Sequence, residues 1–291
     1  MNPRRFQYHS PRTLGDALVM LEKYGEEAKV LAGGQSLIPM MKLRLLQPEH
    51  VIDLNNIPDL SYIEDRQGSI AIGALARHSD LERSPLIREK LPIIGEAAEQ
   101  IADQQVRNLG TMAGSACHAD PAADWPAVLQ ALDASFVVRG KDERVVPATQ
   151  FFRGPFDTVV RQGEIMTEID VPVPQGDRVG QTYLKFERRA GDFATVGVAA
   201  VVCVDGDGAI ASGALALSAV APAAYRATDA EKIMEGKKPT QRLIEEAASA
   251  AAAPSSPASD LRGSAEYKKE MARVFVRRAL KTALERAGVK L

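Results

Sequence analysis

Two short segments of this sequence carry residue types that can do chemistry on a phosphate. Ala32-Gly33-Gly34-Gln35-Ser36 and Thr111-Met112-Ala113-Gly114-Ser115 each set glycine among hydroxyl or amide side chains, between apolar flanks. Glycine permits positive φ and close backbone approach, so consecutive N–H groups can converge on phosphate oxygens while Ser and Thr hydroxyls add donors. Two such loops suit a diphosphate. Each on its own is equally compatible with a plain turn joining a strand to a helix.

Other familiar chemistry finds no support. The sequence has no G-x-G-x-x-G, no G-x-x-x-x-G-K-[ST] and no H-E-x-x-H, which removes the standard dinucleotide, P-loop and zincin readings. Gly34-Gln35-Ser36-Leu37-Ile38 lacks the closing glycine of a hydrolase elbow. His9, His50, His78 and His118 are scattered, so each is expected to be structural. Cys117 and His118 are adjacent, which turns their side chains apart and disfavours a nucleophilic dyad. With Cys117 and Cys203 the only cysteines, neither a four-thiolate iron–sulfur cluster nor a four-cysteine zinc site can be built in this chain.

The elements that must position the loops follow from periodicity. Thr13-Leu14-Gly15-Asp16 reads as a capping box opening a helix whose stripe, Leu14, Ala17, Leu18 and Leu21, stops at Gly25. Residues 28–32 read as a strand, so 28–45 is strand, glycine loop, helix. Further strands are expected at 51–54 and 69–73, with a subdomain seam near Leu60. Residues 92–101 carry a helical pattern, whereas 110–116 are small and polar and are expected as a loop. Residues 125–132 are expected as a helix with Asp124 as N-cap and Pro126 in its first turn, followed by strands to about Pro174. After the turn Gln175-Gly176-Asp177, residues 181–187, 195–204 and 209–220 read as a three-stranded meander. Helices follow near 228–234, 240–252 and 265–287, an order that points to a separate α+β domain.

Composition bounds the function. The 291 residues, 45% hydrophobic and 25% charged, describe a globular chain long enough for two ordinary domains. With 36 basic against 38 acidic side chains, the net charge of -2 argues against a partner such as nucleic acid or an anionic membrane surface. No window holds the ~18 or more consecutive apolar residues of a membrane helix, so no integral membrane segment is expected. Met1-Asn2-Pro3-Arg4-Arg5-Phe6 has no apolar run behind its arginines, and a cytoplasmic location is the expectation.

Several motifs in a fixed order carry a resemblance. Residues 31–42 (LAGGQSLIPMMK), 48–54 (PEHVIDL), 110–114 (GTMAG), 119–124 (ADPAAD) and 188–197 (RRAGDFATVG) resemble the FAD-binding medium subunits of molybdenum hydroxylases, over nearly the whole chain. Within that family, the pattern is nearest to the carbon monoxide dehydrogenase branch. The resemblance implies an α+β fold with an FAD-binding domain of the vanillyl-alcohol-oxidase or p-cresol-methylhydroxylase type at 1–175, in subdomains of about 1–60 and 61–175. A small α+β domain at 178–291, a three-stranded antiparallel sheet plus helices, would complete it.

Carried over by position, the resemblance implies that Lys29, Val30, Leu31, Ala32, Gly33, Gly34, Gln35 and Ser36, with Thr111, Met112, Ala113, Gly114 and Ser115, hold the diphosphate of FAD. Ile101, Asp124, Met166 and Lys185 would touch flavin or ribityl, with Asp192 and Phe193 near the isoalloxazine. Asp124 has the competing task of capping a helix, and Lys185 that of a solvated strand charge. No catalytic residue and no metal ligand is implied. One departure is Ala113, where relatives often have glycine, so either the backbone there avoids positive φ or the loop is rearranged. The implied role is to pass electrons from the iron–sulfur clusters of a small subunit to an external acceptor, with a molybdenum-cofactor large subunit oxidising the substrate, in a dimer of heterotrimers. Carbon monoxide, an aldehyde or an N-heterocycle are all open as substrate, and a stand-alone flavin oxidase of the same fold is the rival reading.

Overall fold

The computed structural model describes residues 2–291. Its first layer is a three-stranded parallel sheet, ordered Gln7–His9, His50–Asp53, Ala28–Leu31. The central strand has all four residues buried, which is why it reads as a continuous run rather than an alternation. Helix Leu14–Tyr24 packs Ala17 and Leu21 beneath it. Thr13 Oγ1 accepts from the Asp16 N–H at 3.1 Å, and Gly25 ends the helix at φ 53°, so the predicted cap and stop both form.

The second layer is a five-stranded antiparallel sheet, ordered Ile63–Asp65, Ser69–Gly73, Ile165–Pro172, Ser135–Arg139, Glu143–Pro147. A run of short helices between Ser69–Gly73 and Ser135–Arg139 covers it, burying Trp125, Ile93, Ile94, Phe136 and Phe151 in one core. Each such fully buried side chain contributes about 1.5–3 kcal/mol.

Two sequence expectations are corrected here. Residues 111–115 are not an irregular loop: Met112–His118 is a helix with Thr111 as N-cap, its Oγ1 accepting from the Gly114 N–H at 3.0 Å. The helix is imposed by burial of Met112, Ala113 and Ala116 rather than by propensity. It also settles Ala113, whose φ is not positive. Asp124 precedes helix Trp125–Ala131 but does not cap it, because it has helical φ and ψ and its carboxylate points to the C-terminal half of the chain.

The C-terminal sheet has four antiparallel strands, not three: Arg178–Phe186, Val196–Val204, Ile210–Ser218 and the two-residue Tyr225–Arg226. The last is too short to show alternation. It is fixed by tertiary contacts, with Arg226 donating to the Gln130 carbonyl at 2.7 Å and to Asp133 at 2.6 Å. Helices Thr228–Met234, Gln241–Ala252 and Ala265–Arg286 follow. On strand Val196–Val204, alternate residues Val196, Val198, Ala200, Val202 and Val204 face these helices, while Ala199 and Val201 join the core of the five-stranded sheet layer. Both faces of the strand are therefore buried.

Candidate functional site

Strand Ala28–Leu31 delivers the first glycine segment and helix Leu37–Lys42 carries it away. Gly34 has φ 72°, a conformation L side chains rarely adopt, and this reversal turns the chain out of the sheet. Gly33 is constrained differently: a Cβ there would lie 2.2 Å from the Leu109 carbonyl oxygen and 2.6 Å from Gly110 Cα. The two segments are thus in backbone contact. Among the described residues, none accepts a hydrogen bond from the backbone N–H of Gly33, Gly34, Gln35 or Ser36. These free donors sit where an anion would satisfy them.

A polar clamp holds the junction. Asn55 Nδ2 donates to the Ala32 carbonyl at 2.9 Å, and Arg77 donates to both Asn55 Oδ1 and the Leu109 carbonyl. His78, next along, donates its backbone N–H to the Gly110 carbonyl at 3.0 Å, and its Nδ1 accepts from Trp125 Nε1 at 3.2 Å. Burial pushes the His78 imidazole down to about 3, so it is a neutral, structural histidine, as the sequence predicts.

Between the segments lies a cavity of about 650 Å³, in the ~300–1,000 Å³ range of cofactor sites. All the residues the sequence singles out line it except Leu31 and Met112, the latter fully buried in the core. Met166 enters where the register slips between Met166 and Glu168, a bulge that re-aims side chains. Asp192 and Phe193 are also on its wall. Cys117 and His118 line it without a hydrogen bond between them, and burial pushes the Cys117 thiol up to about 12, which disfavours its thiolate.

One charged part of the wall is built by both halves of the chain. Asp124 Oδ1 accepts from the Tyr183 hydroxyl at 2.6 Å, and Oδ2 from Lys185 Nζ at 3.3 Å. Lys185, only 2% exposed, also donates to the Gln100 carbonyl at 3.0 Å and lies 3.3 Å from Glu187 Oε2. It is no solvated surface charge. Burial raises the Asp124 carboxyl, opposed by Lys185 and Tyr183, and burial together with Asp124 holds the Tyr183 phenol well above its ordinary value.

Sequence reading missed one wall. Residues 156–165 run along the cavity as an arm that is strand only at Asp157–Thr158 and at Ile165, with Gly163 at φ 80°, and nothing periodic marks them. Cys117 and His118 were findable, since they follow Gly114 and Ser115 on the same helix one turn later. Tyr183 carried no signal at all, because its partner lies 59 residues away.

A cavity with free backbone donors at residues 33–36, the second glycine segment against it and a buried Asp124–Lys185 pair on its wall fits a protein that holds a phosphate-bearing cofactor. Comparison with known proteins places it further. The family model for the FAD binding domain in molybdopterin dehydrogenase matches residues 4–174, and that for the CO dehydrogenase flavoprotein C-terminal domain matches 181–283. The chain belongs to this family of FAD-binding oxidoreductase subunits, and its cofactor is FAD. It is 44% identical to the carbon monoxide dehydrogenase medium chain of Hydrogenophaga pseudoflava, over 99% of this chain and 100% of that one. It is 39% identical to the glyceraldehyde dehydrogenase medium chain of Sulfolobus acidocaldarius, over 97% and 99%. The solved carbon monoxide dehydrogenase of H. pseudoflava that lacks the Mo-pyranopterin moiety superimposes with a TM-score of 0.96 at 45% identity, covering 98% of this chain and 99% of that one. The relatives are medium subunits of multi-subunit enzymes, and no helix among the described residues is long and apolar enough to cross a membrane.

Proposed function

We propose that this chain is the flavoprotein subunit of a carbon monoxide dehydrogenase-like complex, conveying electrons from the iron–sulfur clusters of a small subunit to an external acceptor. A molybdenum-cofactor large subunit oxidises the substrate, the complex is a dimer of heterotrimers, and it works in the cytoplasm. FAD, when bound, supplies reversible uptake and release of electrons. The chain's own residues bind and enclose it. Residues 29–36 and 111–115 hold the diphosphate, with the free backbone N–H groups of 33–36 and the Thr111 and Ser115 hydroxyls as donors, and Leu31 and Met112 contribute through their backbone alone. Ile101, Asp124, Met166 and Lys185 stand at the flavin end, and residues of the arm at 156–165 line the cavity. The domain seams fall near residues 60 and 175.

The observation that carries the reading is full-length similarity at 44% identity to a carbon monoxide dehydrogenase medium chain, in a chain whose two cysteines are too few to ligate the four-thiolate cluster that would feed the flavin. The test is reconstitution. The purified chain with FAD is expected to turn over neither carbon monoxide nor an organic substrate, and the assembled three-subunit complex is expected to reduce a dye with carbon monoxide. Turnover by the lone chain favours the stand-alone oxidase. A complex that prefers an aldehyde or an N-heterocycle keeps the electron-transfer role and moves the substrate assignment.

A further inference from the structure

A second cavity, of about 340 Å³, opens at the outer edge of the five-stranded sheet, where strand Glu143–Pro147 forms one side of it. Three arginines line it, Arg144, Arg153 and Arg161, and no acidic residue does. A guanidinium carries five N–H donors and no acceptor, so the donors already used decide what the cavity can hold. Arg144 gives Nε and Nη2 to Glu164, at 3.0 and 2.6 Å, and Nη2 also to the Val159 carbonyl, which leaves Nη1 without an acceptor. Arg153 gives one N–H to Asp157 at 2.8 Å, in an exposed pair that contributes little. Arg161 has only its backbone N–H engaged, on Glu164, and its guanidinium meets no acceptor among the described residues. Two carboxylates beside three guanidinium groups leave the site positive.

The sheet edge adds a backbone donor. The Gly140 N–H reaches the Asp142 carbonyl and the Ala148 N–H the Ala134 carbonyl, and in an antiparallel pair such bonded positions recur at every second residue. By that alternation Arg144 and Val146 bond inward to Val138 and Phe136, while Val145, on the cavity wall, turns its N–H to the open edge, beyond which no strand lies. Unused guanidinium forks match phosphate and carboxylate oxygens in geometry as well as charge. A volume of this size admits a molecule rather than a single inorganic ion.

We propose that this cavity binds a small polyanion, a molecule bearing two or more phosphate or carboxylate groups, on Arg144, Arg153 and Arg161. Arg161 lines the larger cavity as well, whereas Arg153 lines only this one, so Arg153 separates binding here from binding there. Occupancy of this site does not depend on what the larger cavity holds.

The test is calorimetric titration of the full-length chain, loaded with FAD, with pyrophosphate and with citrate in a low-salt buffer free of other phosphates and carboxylates. At least one of the two is expected to saturate a single site; tighter pyrophosphate assigns the ligand's groups as phosphates, tighter citrate as carboxylates. Arg153→Gln and Arg161→Gln are each expected to weaken the tighter anion about tenfold or more, as befits loss of a hydrogen bond to a charged group, with Arg161→Lys falling between. Arg144 stays in place because it anchors Glu164 and the Val159 carbonyl. Arg139→Gln removes the same unit of charge from the paired strand, outside the cavity, and is expected to bind like the parent. No saturable binding of either anion overturns the proposal. An equal loss in Arg139→Gln and Arg153→Gln also overturns it, since general charge attraction would then suffice. Binding that Arg153→Gln leaves unchanged places the anion in the larger cavity and overturns it as well.

Discussion

Gly33 and Gly34 are adjacent glycines with different reasons for lacking a side chain. At Gly33 a Cβ strikes backbone, the Leu109 carbonyl and Gly110 Cα, whereas at Gly34 it meets Ile38 Cδ1 at 2.7 Å, the tip of a flexible side chain, together with a φ of 72°. Gly33→Ala is therefore expected to force the two segments apart and lose most bound FAD. Gly34→Ala is expected to cost about 1–2 kcal/mol of strain and retain more. Flavin per chain after gel filtration, with the melting temperature of the stripped forms, checks the order; equal retention would show that the loop contact at Gly33 is not limiting. His78 gives the pH dependence. Its imidazole sits near 3 in the fold against 6.5 unfolded, so the unfolded chain holds the extra proton between those values. The stability this represents, about 4–5 kcal/mol, is complete above pH 6.5 and lost as pH falls toward 3. Protonation would also set an N–H of His78 against the Trp125 N–H it now accepts, beside the Gly110 carbonyl. Denaturant unfolding from pH 7 to pH 4 is expected to show His78→Gln losing less stability than the parent by up to about 1.4 kcal/mol per pH step. Parallel slopes would remove His78 as the cause.

Helix Met112–His118 shows how an element can be invisible locally and still form. Gly110-Thr111-Met112-Ala113-Gly114-Ser115 has weak propensity, but Thr111 caps the Gly114 N–H and three residues of the helix are buried against the core. Thr13 and Thr111 cap alike; the first was legible because a strong apolar stripe follows it, the second was not because small residues leave no stripe. The same contrast runs through the site. The loop at 32–36 stands out because a strand and a helix flank it, while the arm at 156–165 and the Tyr183–Asp124 contact depend on packing between distant segments. Asp124 looked like a cap from its place before Trp125-Pro126, and only the fold shows its carboxylate committed elsewhere. Thr111→Val is expected to cost about 0.5–2 kcal/mol through the lost cap. Gly114→Ala attacks the same bond, since its Cβ would lie 2.7 Å from Thr111 Oγ1. The pair is therefore expected to be less than additive in melting temperature, and full additivity would mean that Gly114 is constrained by something other than the cap.

On the scale of the whole molecule, the question is why the C-terminal half is present at all, when the glycine segments that meet the diphosphate lie in the first. Its sheet is not appended to the first half; Tyr183, Ala199, Val201, Ala214 and Ala216 share a core with Trp125, Val128 and Ile93. Glu96 links the halves by accepting from the Thr182 hydroxyl and the Tyr183 N–H, each at 3.2 Å, and pairs with Arg286 on the last helix. Removing residues 178–291 would therefore expose the apolar helix faces around Trp125, strip Asp124 of both its donors and delete the wall at Gly191, Asp192 and Phe193. A chain ending at residue 177 keeps every residue of both glycine segments, yet it is expected to retain less than about one-tenth of the parent's FAD and to self-associate through the uncovered face. Flavin content and size-exclusion elution at matched concentration check both parts. A truncated chain that stays monomeric and holds FAD as the parent does would mean that the first half is a complete flavin domain and that the buried charge shared across the halves serves only their docking.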